Sequence, residues 1–179
     1  VKQIATTDIG GTHARFALAS IEGARVVSVD EPVTLKTAEH SSFESAWGEF
    51  GRRIGTDLPR SLAMAFAGPV GGEHLKLTNN PWVIRPASLR DKLGIAELTI
   101  VNDFGAVAHS VAVLGDEDFR HLCGPERPLA DKGVISIVGP GTGLGIAAVL
   151  RRGVGRYDVI ETEGGHVDFA PLDSLEDRI

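Results

Sequence analysis

Apolar and polar positions first alternate in short extended runs. Ile4-Ala5-Thr6-Thr7, Arg15-Phe16-Ala17-Leu18-Ala19 and Arg25-Val26-Val27-Ser28-Val29 are separated by Gly10-Gly11 and Glu22-Gly23, a pattern that predicts a three-stranded meander. The period then lengthens. Phe43, Ala46, Trp47 and Phe50 fall at helical spacing behind a Ser41-to-Glu44 capping box, so a helix is expected from Ser41 with these residues on its buried face. Leu62-Ala63-Met64-Ala65-Phe66-Ala67 is a continuous apolar run closed by Gly68-Pro69, as for a parallel strand buried on both faces.

The pattern continues with a short strand at Leu75-Lys76-Leu77, a turn at Asn79-Asn80-Pro81 and a helix opened by Pro86 or Ser88 and stopped at Gly94. Leu98-Thr99-Ile100-Val101 predicts a strand that delivers Asn102-Asp103 at its C-terminal end. Ala106, Val107, Ser110, Val111 and Leu114 mark a helix ending at Gly115. Val134–Val138, Ile146–Leu150 and Tyr157–Ile160 then repeat the opening meander around a second glycine-rich turn. The order predicts an α/β architecture with residues 1–115 as a small lobe and 116–179 as the start of a larger, truncated one.

Composition narrows the function classes. The 179 residues are 42% hydrophobic, enough for a sizeable core, and carry a net charge of −6. With a pI near 5.5 and no basic cluster interleaved with aromatics, neither nucleic acid nor an anionic membrane is an expected partner. The apolar runs fall far short of the ~20 residues that span a bilayer, and no signal pattern opens the chain. A cytoplasmic protein is expected. Cys123 stands alone, which excludes an intrachain disulfide and a cysteine zinc cluster.

Two glycine-rich turns carry the strongest chemical signal: Asp8-Ile9-Gly10-Gly11-Thr12 and Gly139-Pro140-Gly141-Thr142-Gly143-Leu144-Gly145. Each follows an apolar run, so each can bring backbone N–H groups and a threonine hydroxyl to a phosphate oxygen. Asp8 can hold Mg²⁺ beside a polyphosphate or cap an Asx-turn; Arg15 can neutralise charge there or pair with a carboxylate, and the structural role is the one expected. Asp103 lies where open α/β sheets place ligand-binding residues. Two roles are open to it: general base toward an attacking hydroxyl, or N-cap of the following helix. Asn102 would position neighbouring sugar hydroxyls. Glu161-Thr162-Glu163-Gly164-Gly165-His166 puts carboxylates, an imidazole and two glycines in one tight turn, a donor and acceptor mixture suited to polyols. The alternative for His166 is a hydrogen-bonded core histidine. Zinc is not expected, because no second histidine or cysteine stands at ligand spacing.

Five segments together resemble bacterial glucokinase: Asp8-Ile9-Gly10-Gly11-Thr12-His13-Ala14-Arg15, Leu77-Thr78-Asn79-Asn80-Pro81-Trp82, Val101-Asn102-Asp103-Phe104, Gly141-Thr142-Gly143-Leu144-Gly145, and Glu163-Gly164-Gly165-His166-Val167-Asp168-Phe169-Ala170-Pro171. The resemblance runs through nearly the whole chain, and its last segment is the most specific. It implies a ribonuclease H-like, actin/hexokinase-type two-lobed fold and MgATP-dependent phosphorylation of glucose at its 6-hydroxyl. On it, Asp103 matches the catalytic base and Asn102, Glu163 and His166 match sugar contacts. Gly10, Gly11, Thr12, Gly141, Thr142 and Gly143 match phosphate-binding elements beside Asp8 as the metal carboxylate, and a homodimer is plausible. The family runs longer than this chain, which stops in an acidic stretch at Asp177-Arg178-Ile179; a fragment, inactive by itself, is expected. The rival expectations are a non-catalytic sugar-binding or dimerising module, and a kinase for a related hexose.

Overall fold

The computed structural model describes residues 1–77, 80–141, 143–167 and 170–178. The chain divides into two compact units, Val1–Ala106 and Val107–Ile179.

The first unit opens with strands β1 (Lys2–Ile9), β2 (His13–Glu22), β3 (Arg25–Val29) and β4 (Val33–Lys36). Helix α1 (Phe43–Ile54) and strand β5 (Ser61–Phe66) follow, then the two-residue strands β6 (Leu75–Lys76) and β7 (Val83–Ile84), helix α2 (Pro86–Leu93) and strand β8 (Glu97–Asn102). The main sheet has the order β3-β2-β1-β5-β8, with β4 also on β2. The predicted meander is present: β1, β2 and β3 pair antiparallel in sequence order, and β5 lies parallel to both β1 and β8. β4 escapes the sequence pattern because Asp30-Glu31-Pro32 breaks the run; it takes over the first half of β2, with Ala14 opposite Leu35, where β3 pairs only with the second half.

One sheet face carries the core. Ala5 and Ile9 of β1 and Leu62, Met64 and Phe66 of β5 alternate with more exposed residues, whereas Phe16 and Leu18 of β2 stand in a run buried on both faces; together they meet Phe43, Ala46, Trp47 and Phe50 of α1. The helical stripe read from the sequence is therefore the core stripe, but α1 starts two residues later than expected. Ser42, not Ser41, is the N-cap, because its Oγ accepts the Ser45 N–H at 3.2 Å. Burial tends to raise the Glu44 carboxyl; its own backbone N–H, the Lys92 ammonium at 3.1 Å and the Ser42 hydroxyl outweigh this and hold it below the usual glutamate range. The same carboxylate ties α1 to α2. Helix α2 has Pro86 in its first turn and closes at Gly94, whose φ of 65° suits a residue without Cβ.

β5 departs from the expected two-sided burial. Leu62, Met64 and Phe66 are buried, whereas Ala63 and Ala65 on the opposite face are half-buried. The continuous apolar run arises because that second face is lined by alanine rather than by polar residues. One core position is chemically mismatched: Thr7 is 6% exposed, and its Oγ1 has no hydrogen-bond partner among the described residues. Thr7→Val keeps the β-branched shape and removes the stranded hydroxyl, so it should raise stability by about 1–2 kcal/mol. Urea unfolding of the two variants measures the difference; a loss of stability would show that the hydroxyl is satisfied.

Helix α3 (Asp103–Val113) begins in the first unit and continues into the second. There the strands β9 (Lys132–Pro140), β10 (Leu144–Gly153) and β11 (Arg156–Thr162) form an antiparallel sheet in the order β11-β10-β9. Its buried centre is Ile137, Ala147 and Val149. β9-β10-β11 thus repeats the connectivity of β1-β2-β3, each with a glycine-rich turn between its first two strands. His109 of α3 packs edge-on against Tyr157 of β11, ring centroids 5.8 Å apart. Among the described residues, no helix is long and apolar enough to cross a membrane.

Candidate active site

The first unit gathers its predicted site residues along one edge of the sheet. Register sets Ile9 beside Phe66 and Phe66 beside Asn102, so β1, β5 and β8 all end in one row, with neighbouring strands spaced ~4.8 Å apart. Two hydrogen bonds lace these ends together. The Ala67 N–H donates to the Ile9 carbonyl at 3.0 Å, and Asn102 Nδ2 donates to the Gly68 carbonyl at 3.3 Å. The Gly10-Gly11-Thr12 turn follows Ile9 directly, and the Asn102-Asp103 pair ends the row. Ligand-binding residues are expected at this edge of a parallel sheet.

The glycine turn is held from behind. Gly10 N–H donates to the His13 carbonyl at 3.0 Å, while the Gly11 carbonyl accepts from Thr37 Oγ1 at 2.7 Å and from Asn80 Nδ2 at 3.2 Å. The Thr12 carbonyl accepts the Thr37 N–H at 3.0 Å. These bonds fix the carbonyl side of the turn. Asn80 is itself placed by accepting the Trp82 N–H at 2.8 Å, and buried Trp82 donates Nε1 to the His40 carbonyl at 2.9 Å. Thr37 and Asn80 are supporting residues that sequence reasoning missed. The Asn80-Pro81 turn was a usable signal for Asn80; Thr37, 1% exposed, carried none.

Asp8 stands at the end of β1 directly opposite Arg15, and Arg15 Nη1 donates to Asp8 Oδ2 at 2.8 Å with both side chains about half exposed. The expected Arg15–carboxylate pair is present, and Asp8 is engaged by it rather than by an Asx-turn. At the start of α3 the structure shows which side chain makes the cap. Asn102 Oδ1 accepts the N–H groups of Phe104 at 2.9 Å and Gly105 at 3.2 Å. Capping of α3 is therefore carried by Asn102. Asp103, the first residue of the helix, also receives the Phe104 N–H on Oδ1 at 2.9 Å.

The second unit brings together the other two groups. Gly141 and Gly143 lie in the β9–β10 hairpin turn, with Pro140 opposite Leu144 and the Gly141 N–H on the Gly143 carbonyl at 2.8 Å. Thr142, expected to contact phosphate, lies outside the described residues, as do Thr78, Asn79, Asp168 and Phe169 of the resembling segments. Glu163 ends the stretch after β11, and Gly164–His166 make one 3-10 turn that packs against β10. His166 Nε2 lies 3.4 Å from Glu163 Oε2, and both side chains are largely exposed. The core-histidine alternative for His166 is thus set aside. Of the sequence-predicted site residues, Asp8, Gly10, Gly11, Thr12, Asn102 and Asp103 thus lie in the first unit and Gly141, Gly143, Glu163 and His166 in the second.

Among the described residues no three His, Cys, Asp or Glu side chains converge on a metal position. One protein carboxylate beside waters and phosphate oxygens is the usual habit of Mg²⁺, and Asp8, paired with Arg15, is the carboxylate next to the first glycine turn.

The family model for glucokinase matches residues 5–179. A glucokinase of Zymomonas mobilis subsp. mobilis is 59% identical over 177 residues, which are 99% of this chain and 54% of that protein. Among solved structures, a glucokinase from an Antarctic psychrotroph superposes with a TM-score of 0.77 at 27% identity, covering 99% of this chain and 55% of the other. A glucokinase from Balamuthia mandrillaris, solved with glucose, gives a TM-score of 0.72 at 23% identity over 99% of this chain and 52% of its own. The chain spans about half the length of the curated relatives it matches. The sheet order, the two glycine turns, the capped Asn102-Asp103 pair and these similarities agree in fold and in sequence: the chain belongs to the glucokinase family and has its actin/hexokinase-type sugar kinase fold.

Proposed function

We propose that the full protein transfers the γ-phosphoryl group of ATP to the 6-hydroxyl of glucose. The observation that carries this reading is the division of labour at the start of α3. Asn102 caps the helix through two backbone N–H groups, and the Asp103 carboxylate, which accepts the Phe104 N–H on Oδ1, stands at the edge where the first glycine turn also lies, in position for the role of general base. Asp103 takes the proton from the sugar O6 as the O6–P bond forms and the bond from the γ-phosphorus to the bridging oxygen breaks, releasing ADP. Little further covalent help is required; positioning and charge stabilisation supply the rest.

Asn102, Glu163 and His166 would hold the sugar hydroxyls. The backbone of Gly10, Gly11, Gly141 and Gly143, with Thr12 and Thr142, would hold the phosphates. Mg²⁺ would be carried with the nucleotide and held by Asp8, where it neutralises phosphate charge. Residues 1–115 would form the small lobe and 116–179 the start of the larger one, in a homodimeric cytoplasmic enzyme. Supporting the substrate assignment are the glucokinase relatives and the glucose complex of a glucokinase with the same fold.

A coupled assay for glucose 6-phosphate on the full protein, run beside calorimetry with glucose alone, tests the reading. Turnover with glucose and MgATP is expected. Glucose heat without turnover would leave a sugar-binding module, and preference for another sugar in a hexose panel would reassign the acceptor.

A further inference from the structure

The 3-10 turn of Gly164–His166 meets β10 most closely at Gly165. A Cβ placed on Gly165 would lie 1.6 Å from the Leu144 carbonyl oxygen and 2.6 Å from its carbon. Backbone faces backbone there, with no space for a methyl group and no flexible side chain to yield. Gly164 is under a milder constraint: its Cβ would meet Thr162 Oγ1 at 3.2 Å and Ile146 Cδ1 at 3.9 Å. Its N–H also accepts no compromise in position, since it donates to Thr162 Oγ1 at 3.0 Å.

Leu144 is the first residue of β10, immediately after the Gly141–Gly143 turn. The residue on one side of Gly165 in sequence is Gly164, and on the other His166; Glu163 begins the turn and accepts the His166 N–H on its carbonyl at 3.0 Å. The segment assigned above to the sugar and the strand that follows the second glycine turn thus meet backbone against backbone at Gly165. Close-packed backbone transmits a displacement rather than absorbing it.

We infer that Gly165 is a positioning residue that couples sugar occupancy to the donor loop. A sugar engaged by Glu163 and His166 fixes the turn, and through the Gly165–Leu144 contact it fixes the start of β10 and with it Gly143, in the arrangement that receives phosphate. The inference rests on the sugar and phosphate assignments proposed above. Coupling of binding free energies is reciprocal, so the nucleotide tightens the sugar by the same factor.

The test uses the full protein. Calorimetry with a non-hydrolysable ATP analogue, with and without glucose, should show glucose tightening the analogue by roughly 5- to 150-fold, the usual range for coupled sites. Gly165→Ala, titrated with glucose raised far enough to saturate the variant, should bring that ratio close to one, and Gly164→Ala should keep most of it. An unchanged ratio in Gly165→Ala overturns the inference. Hydrogen exchange on the unmodified protein decides the matter even if Gly165→Ala fails to fold. Glucose alone should protect both the 163–166 and the 139–146 stretches; protection confined to 163–166 overturns the coupling. Protection of neither stretch overturns the sugar assignment, and the coupling with it.

Discussion

Asp103→Ala in the full protein is expected to lower turnover by about 10²- to 10⁴-fold, the contribution typical of a general base. Glucose binding should fall far less, and the melting temperature should hardly move. The structure explains why these three measurements separate. Asn102 supplies the α3 cap through Phe104 and Gly105, and it also ties β8 to the Gly68 carbonyl. The local fold therefore keeps its main anchor when Asp103 is truncated. Asp103→Asn sharpens the comparison, because it preserves an acceptor for the Phe104 N–H yet cannot take a proton; its turnover should fall as far as that of the alanine variant. Steady-state kinetics with a coupled assay, read beside a calorimetric glucose titration, give the answer. Turnover near the wild-type level in either variant would remove Asp103 from the base role.

Phe16→Ala should be the most destabilising single truncation in the first unit, at about 3–5 kcal/mol. Phe16 is fully buried. Its ring stacks on Phe50 at a centroid distance of 5.3 Å and lies 5.9 Å from Phe43 and 6.4 Å from Trp47. Removing it opens a void at the centre of the sheet–helix interface, where α1 is fastened to β2, and the three partners lose the ring around which they are arranged. Urea unfolding monitored by tryptophan fluorescence should show a lower midpoint with an unchanged slope. A loss under about 1 kcal/mol would mean that the α1 aromatics collapse into the space.

Much of this architecture was legible because periodicity and punctuation agree in the sequence. Arg25–Val29 was located to the residue, and the Pro86 and Gly94 boundaries of α2 follow from their fixed backbone preferences. The errors have physical causes. Two adjacent serines precede α1, and the pattern of serine and glutamate fits Ser41 although the bond to the Ser45 N–H is made by Ser42. β4 depends on pairing with a distant strand and has only four residues in which to show alternation. At the site, spacing located the glycine turns and the Asn102-Asp103 pair but could not apportion capping between two neighbours that both cap helices well. The support of the first turn by Thr37 and Asn80 is a long-range arrangement, made by segments 26 and 69 residues away from Gly11, and no local pattern encodes it.

The row formed by Ile9, Phe66 and Asn102 also bears on how the molecule is built up in time. β1 and β2 meet across a short turn, so little chain entropy is lost when they pair. The parallel partners come together only after α1, α2 and their connecting segments have been enclosed, and such non-local pairings form slowly. The edge that brings the first glycine turn into line with Asp103 is consequently among the last parts of this unit to be assembled. Pulse-labelling hydrogen exchange during refolding is expected to protect the β1–β2 pairing before the β5–β8 pairing.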